Sequence, residues 1–337
     1  MKPTIAITIG DFNGIGPEVV LKSITSPKLK EKITPVLIGS IDLFSHFARK
    51  FKINISFTEV PDPAADVKRS EIRVINVHAA TVKSLMPGKI APDAGVCAGL
   101  ALEKAISLCL HHDVDAMVTA PVSKEALHDA GYNFPGQTEM LALLTRSEKV
   151  TMMLMSKTMR VALVTVHIPI RNIAGSITAD RILEKLETVH RSLQNDFGIA
   201  SPSIAVLGLN PHAGENGGIG TEEKEIIAPA IHTANERKMN VSGPFAADGF
   251  FATYTPKKFD AILAMYHDQG LIPMKMTGFE EGVNFSAGLN IVRTSPDHGT
   301  AFDIAGKGIA HPGSMIAAIQ SAISIVQQRK KHDRTTG

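Results

Sequence analysis

The chain has 337 residues, 44% hydrophobic and 20% charged, with a formal net charge of +2. That length can bury the core of two domains or of one two-lobed unit, and the near-neutral balance gives no reason to expect nucleic acid or an anionic membrane as partner. The absence of Trp, the lack of any apolar run of about eighteen residues and the lack of a secretory signal exclude a base-stacking platform and a membrane span, and make the cytoplasm the expected setting.

Residues 4–9 read as a buried strand, and Pro17 sits where a first helical turn tolerates proline, opening a helix over 18–23. Strand patterns follow at 35–38, 72–76, 116–119, 161–166, 204–209, 261–265 and 291–293, and helical spacing at 94–110, 178–194, 222–235 and 314–328. Strands alternating with helices imply crossover units and a mostly parallel sheet covered on both faces, a two-lobed α/β/α fold. Cys97 and Cys109 fall on one predicted helix roughly 18 Å apart, too far to pair, and read as buried thiols. The basic cluster Arg329, Lys330, Lys331 and Arg334 reads as a solvated tail. Crossings between lobes are expected near 132–137 and 280–284.

Polar and glycine-rich segments fall mainly after the strands, where open α/β sheets build their sites. Three histidines sit just past strand ends: His167, His212 and His267. They form no local metal motif; either they meet at a divalent transition ion, with Glu215 and Asp268 as orienting carboxylates, or they are separate loop histidines. The stretch 10–18, GDFNGIGPE, lacks the dinucleotide fingerprint spacing and is either an anion cradle or a tight turn. The stretch 210–220, NPHAGENGGIG, is costly to order and suggests a loop held by a ligand. Lys124, Lys275 and Arg293 are candidate anion clamps, Arg293 the better placed at a strand end. Residues 297–308, DHGTAFDIAGKG, form a long loop of the kind that is often functional.

Taken together, GDxxGIGPE (10–18), TAPVSK (119–124), VTxHIP (164–169), LNPHAGE (209–215), GPxxAD (243–248), AMYHDQGLIPxK (264–275) and RTSPDHGTAFDIAGKG (293–308) resemble the 4-hydroxythreonine-4-phosphate dehydrogenases of vitamin B6 biosynthesis. The last loop is also similar to the adenosine-binding loop of isopropylmalate dehydrogenases, which implies an isopropylmalate dehydrogenase-like fold. The resemblance implies a cofactor-side domain of residues 1–135 plus 285–337, and a central metal, substrate and dimerisation domain of residues 136–284. It implies NAD(P)-dependent oxidation of 4-phosphohydroxy-L-threonine to 2-amino-3-oxo-4-phosphooxybutanoate, which decarboxylates to 3-amino-2-oxopropyl phosphate. His167, His212 and His267 are then ligands of a divalent metal (zinc favoured, cobalt or magnesium as alternatives). Gln137, Thr138, Lys275, Asn284 and Arg293 touch substrate, and Asp297, His298, Gly299, Thr300 and Asp303 contact NAD or NADP. Asp248 and Asp268 are the candidate proton acceptors, and the expected assembly is a homodimer sharing its active site. The family reads G-H-T-E where this chain has Gly136-Gln137-Thr138-Glu139; a glutamine can donate to a phosphate oxygen but cannot carry charge, so weaker anion affinity is expected. A related acid, D-threonate or D-erythronate 4-phosphate, is the alternative substrate. A zinc-dependent hydrolase or lyase is the rival reaction class, which would have no use for an adenosine loop, and a non-catalytic phosphometabolite binder is the third reading.

Overall fold

The computed structural model describes residues 2–29, 31–134, 136–256 and 258–336; Pro135, inside one expected crossing, lies outside them. The strands are short, and the central ones are buried, largely aliphatic runs, as parallel strands shielded on both faces require. They are β1 (Thr4–Thr8), β2 (Thr34–Gly39), β3 (Ser56–Glu59), β4 (Glu71–Asn76), β5 (Ala116–Thr119) and β6 (Thr151–Met155). The chain continues through β7 (Arg160–Leu163), β8 (Ser203–Leu207), β9 (Asn240–Phe245), β10 (Ala261–Ala264), β11 (Val283–Ala287) and β12 (Arg293–Pro296).

Two compact units emerge. The first comprises residues 1–147, 280–283 and 289–326; the second comprises 148–279, 284–288 and 327–337. Residues 136–147 group with the first unit, where Asn290 donates to the Thr145 carbonyl at 3.0 Å and Gln137 meets Arg293. The first unit orders its strands β3-β4-β2-β1-β5-β12, paired in parallel throughout. The second orders them β11-β6-β7-β10-β8-β9, with β7, β10, β8 and β9 parallel and β6 antiparallel to β7. The α/β class and the mostly parallel sheet are as expected.

Helices cover the strands: α1 (Gly16–Ile24), α2 (Ile41–Lys50), α3 (Pro92–Leu110), α4 (Lys124–Asp129) and α5 (Gln137–Leu144). Then come α6 (Ile173–Ser176), α7 (Ala179–Asn195), α8 (Ala228–Glu236), α9 (Ala247–Ala252), α10 (His267–Gly278) and α11 (Gly313–Thr336). Their starts follow local chemistry: Ser40, Ser123 and Thr178 each accept a backbone N–H of the first turn. In α7, Ile182, Leu186, Val189 and Leu193 recur at helical spacing and are fully buried. Gly95 lets α3 press onto α4, since a Cβ there would lie 1.8 Å from the Ala126 carbonyl oxygen. In the second unit Leu154, Val161, Leu163, Leu207, Ile262 and Met274 form the core beneath the strand ends. Cys97 and Cys109 are buried free thiols whose pKa burial pushes up to about 12.

Candidate active site

In the second unit, loops leave the C-terminal ends of the parallel strands β7, β10 and β8 and carry the three histidines. The first two loops are zipped beyond the strands: Val164 N–H donates to the Ala264 carbonyl at 2.9 Å. Thr165 donates to the Met265 carbonyl through its N–H at 3.1 Å and its hydroxyl at 2.7 Å. The His167 and His267 rings consequently stand 5.7 Å apart, centroid to centroid. His267, expected in a loop, opens α10, and its Nδ1 lies 2.7 Å from Asp268 Oδ1. That contact places the ring proton on Nδ1 and presents the Nε2 lone pair to a ligand. A cavity of about 230 Å³ opens against both rings, with Ile170 and Tyr266 in its wall.

His212 occupies a different setting. Residues 212–216 all adopt left-handed backbone, with φ between 44° and 78°. At roughly 1–2 kcal/mol for each non-glycine residue, such a turn persists only where its surroundings over-determine it. Glu223, 5% exposed, does this: Oε1 accepts the N–H groups of Leu209 and Asn210 at 2.7 Å each, and Oε2 accepts the Asn210 amide at 2.9 Å. Glu222 accepts the same amide at 2.7 Å. These contacts brace the loop from within the unit. Gln269 ties the His267 loop to the end of β8, donating to the Gly208 carbonyl at 2.6 Å and accepting Met265 N–H at 2.7 Å. Sequence reasoning singled out neither Gln269 nor the bracing role of Glu223, because both carry the ordinary pattern of polar residues near a helix start.

The structure thus pairs two of the three expected metal ligands, and among the described residues no group of three His, Cys, Asp or Glu side chains is gathered closely enough to hold a metal. The donors present still fit one: two imidazoles face one cavity, one of them fixed by a carboxylate in the ligating tautomer, a set that suits zinc. Glu215, the other expected orienting carboxylate, is exposed on the strained turn. Asp248 stands exposed in the first turn of α9, and Lys275 is half-buried on α10, eight residues after His267. Asn284, on β11, has its Oδ1 buried with no hydrogen-bond partner among the described residues.

In the first unit the central feature is Arg293, 2% exposed. Its Nη2 donates to Thr119 Oγ1 at 2.7 Å and to Gln137 Oε1 at 2.9 Å, and its Nε reaches the same hydroxyl at 3.2 Å. Burial lowers the guanidinium pKa to about 10, still far above neutrality, so a full positive charge is held inside the unit. Gln137 is the first residue of α5, where unpaired N–H groups add positive potential, and Thr138, half-buried, follows it. Lys124 is exposed at the start of α4. The arrangement suits an anion. Gln137 Oε1 thus faces a buried cation, a position where a charged imidazole would be repelled.

The loop 297–308 is held at several points. Asp297 N–H donates to the Gly282 carbonyl at 3.1 Å and to Ser314 Oγ at 3.2 Å. The Thr300 carbonyl accepts Ile15 N–H at 2.9 Å, and His298 Nδ1 lies 3.1 Å from the Gly299 carbonyl. Gly299 and Asp303 face solvent. The GDFNGIGPE segment behaves as a buried scaffold turn. Asp11 Oδ1 accepts Asn13 N–H at 2.8 Å, and burial raises the Asp11 pKa from 3.8 to about 6 against the lowering by the Asn13 and Gly14 N–H groups.

A family model described as Pyridoxal phosphate biosynthetic protein PdxA matches residues 31–322. The chain belongs to this family. It is 45% identical to the 4-hydroxythreonine-4-phosphate dehydrogenase of Bacteroides thetaiotaomicron, across 98% of this chain and 90% of that one. It is 41% identical to the D-threonate 4-phosphate dehydrogenase of Cupriavidus necator, across 97% and 98% of the two chains. Among solved structures, the 4-hydroxythreonine-4-phosphate dehydrogenase of Klebsiella pneumoniae superposes with a TM-score of 0.87 at 38% identity, covering 97% of this chain and 99% of that one. Membership places the chain among dehydrogenases of pyridoxal phosphate biosynthesis and their paralogues, and the strand-end histidines and the buried arginine are the features of this site that such chemistry can use.

Proposed function

We propose that this chain oxidises 4-phosphohydroxy-L-threonine to 2-amino-3-oxo-4-phosphooxybutanoate, which decarboxylates to 3-amino-2-oxopropyl phosphate, with NAD or NADP as acceptor. The observation that carries the reading is the buried Arg293 charge, fixed by Thr119 and Gln137 in a chain whose relatives are named for phosphorylated four-carbon acids. Arg293, with Gln137 and Thr138 at the start of α5, binds an anionic end of the substrate through charge and hydrogen bonds. Lys275 and Asn284 orient the rest, the buried Asn284 Oδ1 accepting a substrate donor.

His167 and His267, joined by His212, would hold a divalent ion, zinc favoured over cobalt or magnesium. When bound, that ion supplies Lewis acidity at the substrate hydroxyl and the nicotinamide supplies the hydride acceptor. Asp268 keeps His267 in the ligating tautomer, so of the two candidate proton acceptors Asp248 has the better claim. The outward face of 297–308, with His298, Gly299, Thr300 and Asp303 following Asp297, would contact the adenosine end of the cofactor. The first unit then serves as the cofactor side, and the second as the metal and dimerisation side. A homodimer fits the exposed apolar side chains beside the histidines: Ile170 and Met276 are each 82% exposed and Ile272 57%. Protonated, buried thiols and the absence of a helix long and apolar enough to cross a membrane among the described residues fit a cytoplasmic enzyme.

D-threonate 4-phosphate is the second reading, favoured by the Cupriavidus necator relative and by Gln137. A panel of 4-phosphohydroxy-L-threonine, D-threonate 4-phosphate and D-erythronate 4-phosphate, followed by reduced-nicotinamide absorbance with and without chelator, decides between them. Turnover of none of the three would end the dehydrogenase reading.

A further inference from the structure

The segment 10–22, whose glycines build a buried turn, also grips the loop 297–310 at two points. At the first, Ile15 N–H donates to the Thr300 carbonyl at 2.9 Å, and Gly14 approaches so closely that a Cβ would lie 2.7 Å from the Thr300 oxygen. At the second, Glu18 Oε1 accepts Ala310 N–H at 2.7 Å and Lys22 Nζ at 2.7 Å. Lys22 Nζ also donates to the carbonyls of Gly308 and Ala310, each at 2.9 Å. An ammonium has three donors, and all three of Lys22 are engaged here. The Glu18 side chain is 1% exposed and that of Lys22 26%, so the pair is shielded from the screening that weakens surface ion pairs.

Between the two grips the backbone turns through left-handed positions at Ala301 (φ 43°) and Gly306 (φ 72°), then at Gly308 (φ 75°). A segment with this many unusual φ values has many alternatives of similar energy, so its shape depends on how its ends are held. Its outward residues Gly299, Asp303 and Lys307 are exposed, while the groups that fix it point inward to α1.

We propose that Glu18 and Lys22 are positioning residues for the adenosine end of the nicotinamide cofactor, holding residues 308–310 so that the exposed face of the loop is pre-shaped for binding. This rests on the reading that the loop 297–308 contacts that cofactor. Pre-organisation of this kind acts on cofactor affinity and leaves the bound geometry of the reacting atoms unchanged.

The test measures KM for cofactor, kcat at saturating cofactor, KM for the phosphorylated substrate, and thermal stability. Lys22→Met keeps the aliphatic stem and removes three donors; it should raise cofactor KM about ten-fold or more, with kcat and substrate KM within about two-fold. Lys22→Arg should recover most of the lost affinity, and the isosteric Glu18→Gln, which keeps an acceptor for Ala310, should fall between. Should Lys22→Met not fold, Glu18→Gln and Lys22→Arg carry the same comparison. Asp303→Ala, on the exposed face, separates the two layers of the argument. If Asp303→Ala raises cofactor KM and the Glu18 and Lys22 variants do not, the positioning role is overturned while the loop reading stands. If neither changes it, the loop reading itself has failed. A parallel loss of kcat and substrate affinity would mark a general structural role and overturn the proposal as well.

Discussion

Replacing Gln137 by histidine, the residue the family pattern carries there, tests how far a buried charge governs its neighbours. Gln137 Oε1 lies 2.9 Å from Arg293 Nη2, in surroundings where the guanidinium is fully buried. An imidazole in this position would sit about 4 Å from that charge, and two unit charges at that distance repel by about 4 kcal/mol at an effective dielectric of about 20. That energy corresponds to about three pKa units, which moves an imidazole from its usual value of about 6.5 to below about 4. The introduced ring should therefore remain neutral through the working range and accept from Arg293 as the glutamine does. The ratio of kcat/KM for Gln137→His to that of the parent chain, which reports on groups of the free enzyme, should stay flat from about pH 5.5 to 8 and within about three-fold of one. Gln137→Leu, by contrast, removes an acceptor from a buried guanidinium and should lower kcat/KM by about ten-fold or more. The profiles are read by nicotinamide absorbance and the ring by proton NMR. A ratio that climbs as pH falls through about 6.5, or a ring that titrates there, would refute the reasoning.

Three further outcomes follow from the same structure. The raised pKa of Asp11, from 3.8 to about 6, means the fold favours the neutral carboxyl; that contribution is fully present below about pH 4 and is lost as pH rises through 6, a difference of about 3 kcal/mol. Asp11→Asn should accordingly stabilise the protein in denaturant titrations at pH 8 and hardly at all at pH 4, and equal gains at both would contradict it. Asp268→Asn leaves an acceptor on His267 Nδ1 but removes the charge, so zinc retained against a competing chelator should fall about ten- to a hundred-fold in affinity; unchanged retention would separate Asp268 from metal binding. Glu223→Gln sets an amide against the Asn210 amide and should cost about 1–3 kcal/mol of stability, while Glu222→Gln, at a less buried carboxylate, costs under about 1; equal effects would show that Glu223 does not brace the left-handed turn.

Much of the fold was legible because parallel strands buried on both faces announce themselves as short aliphatic runs. The runs at 4–9, 35–38, 116–119 and 261–265 all became strands of the two units. Four strands escaped notice, each for a physical reason. In β3, Ser-Phe-Thr-Glu sits at the end of its order with little buried and so carries no apolar run. β9 contains Gly243-Pro244, which argues against a strand unless it lies at an edge, as this one does beside β8 alone. β6 is mostly methionine, whose flexible side chain has weak strand preference, and β11 reads as a short polar-apolar mixture of Val-Asn-Phe-Ser-Ala. The helix α2 was missed although its signals were present: Ser40 caps it, and Leu43, Phe44 and Phe47 line its buried face.

The site divides along a similar line. Residues whose chemistry shows in isolation, such as a histidine or arginine at a strand end, could be picked from sequence, and the structure adds their partners: Asp268 on His267, Thr119 and Gln137 on Arg293. Residues that act by bracing could not be picked. Glu223, Gln269, Glu18 and Lys22 look like ordinary helical polar residues, and their roles arise from contacts reaching 13 to 292 positions along the chain. A strand-end histidine is useful only if its backbone is held. Glu223 overcomes the cost of the left-handed turn carrying His212, and Gln269 fixes the loop before His267 to the neighbouring strand. The bracing residues thus decide whether the visible ones can be brought into register, and substitutions among them should alter metal retention and cofactor affinity without any change in the residues that bind either.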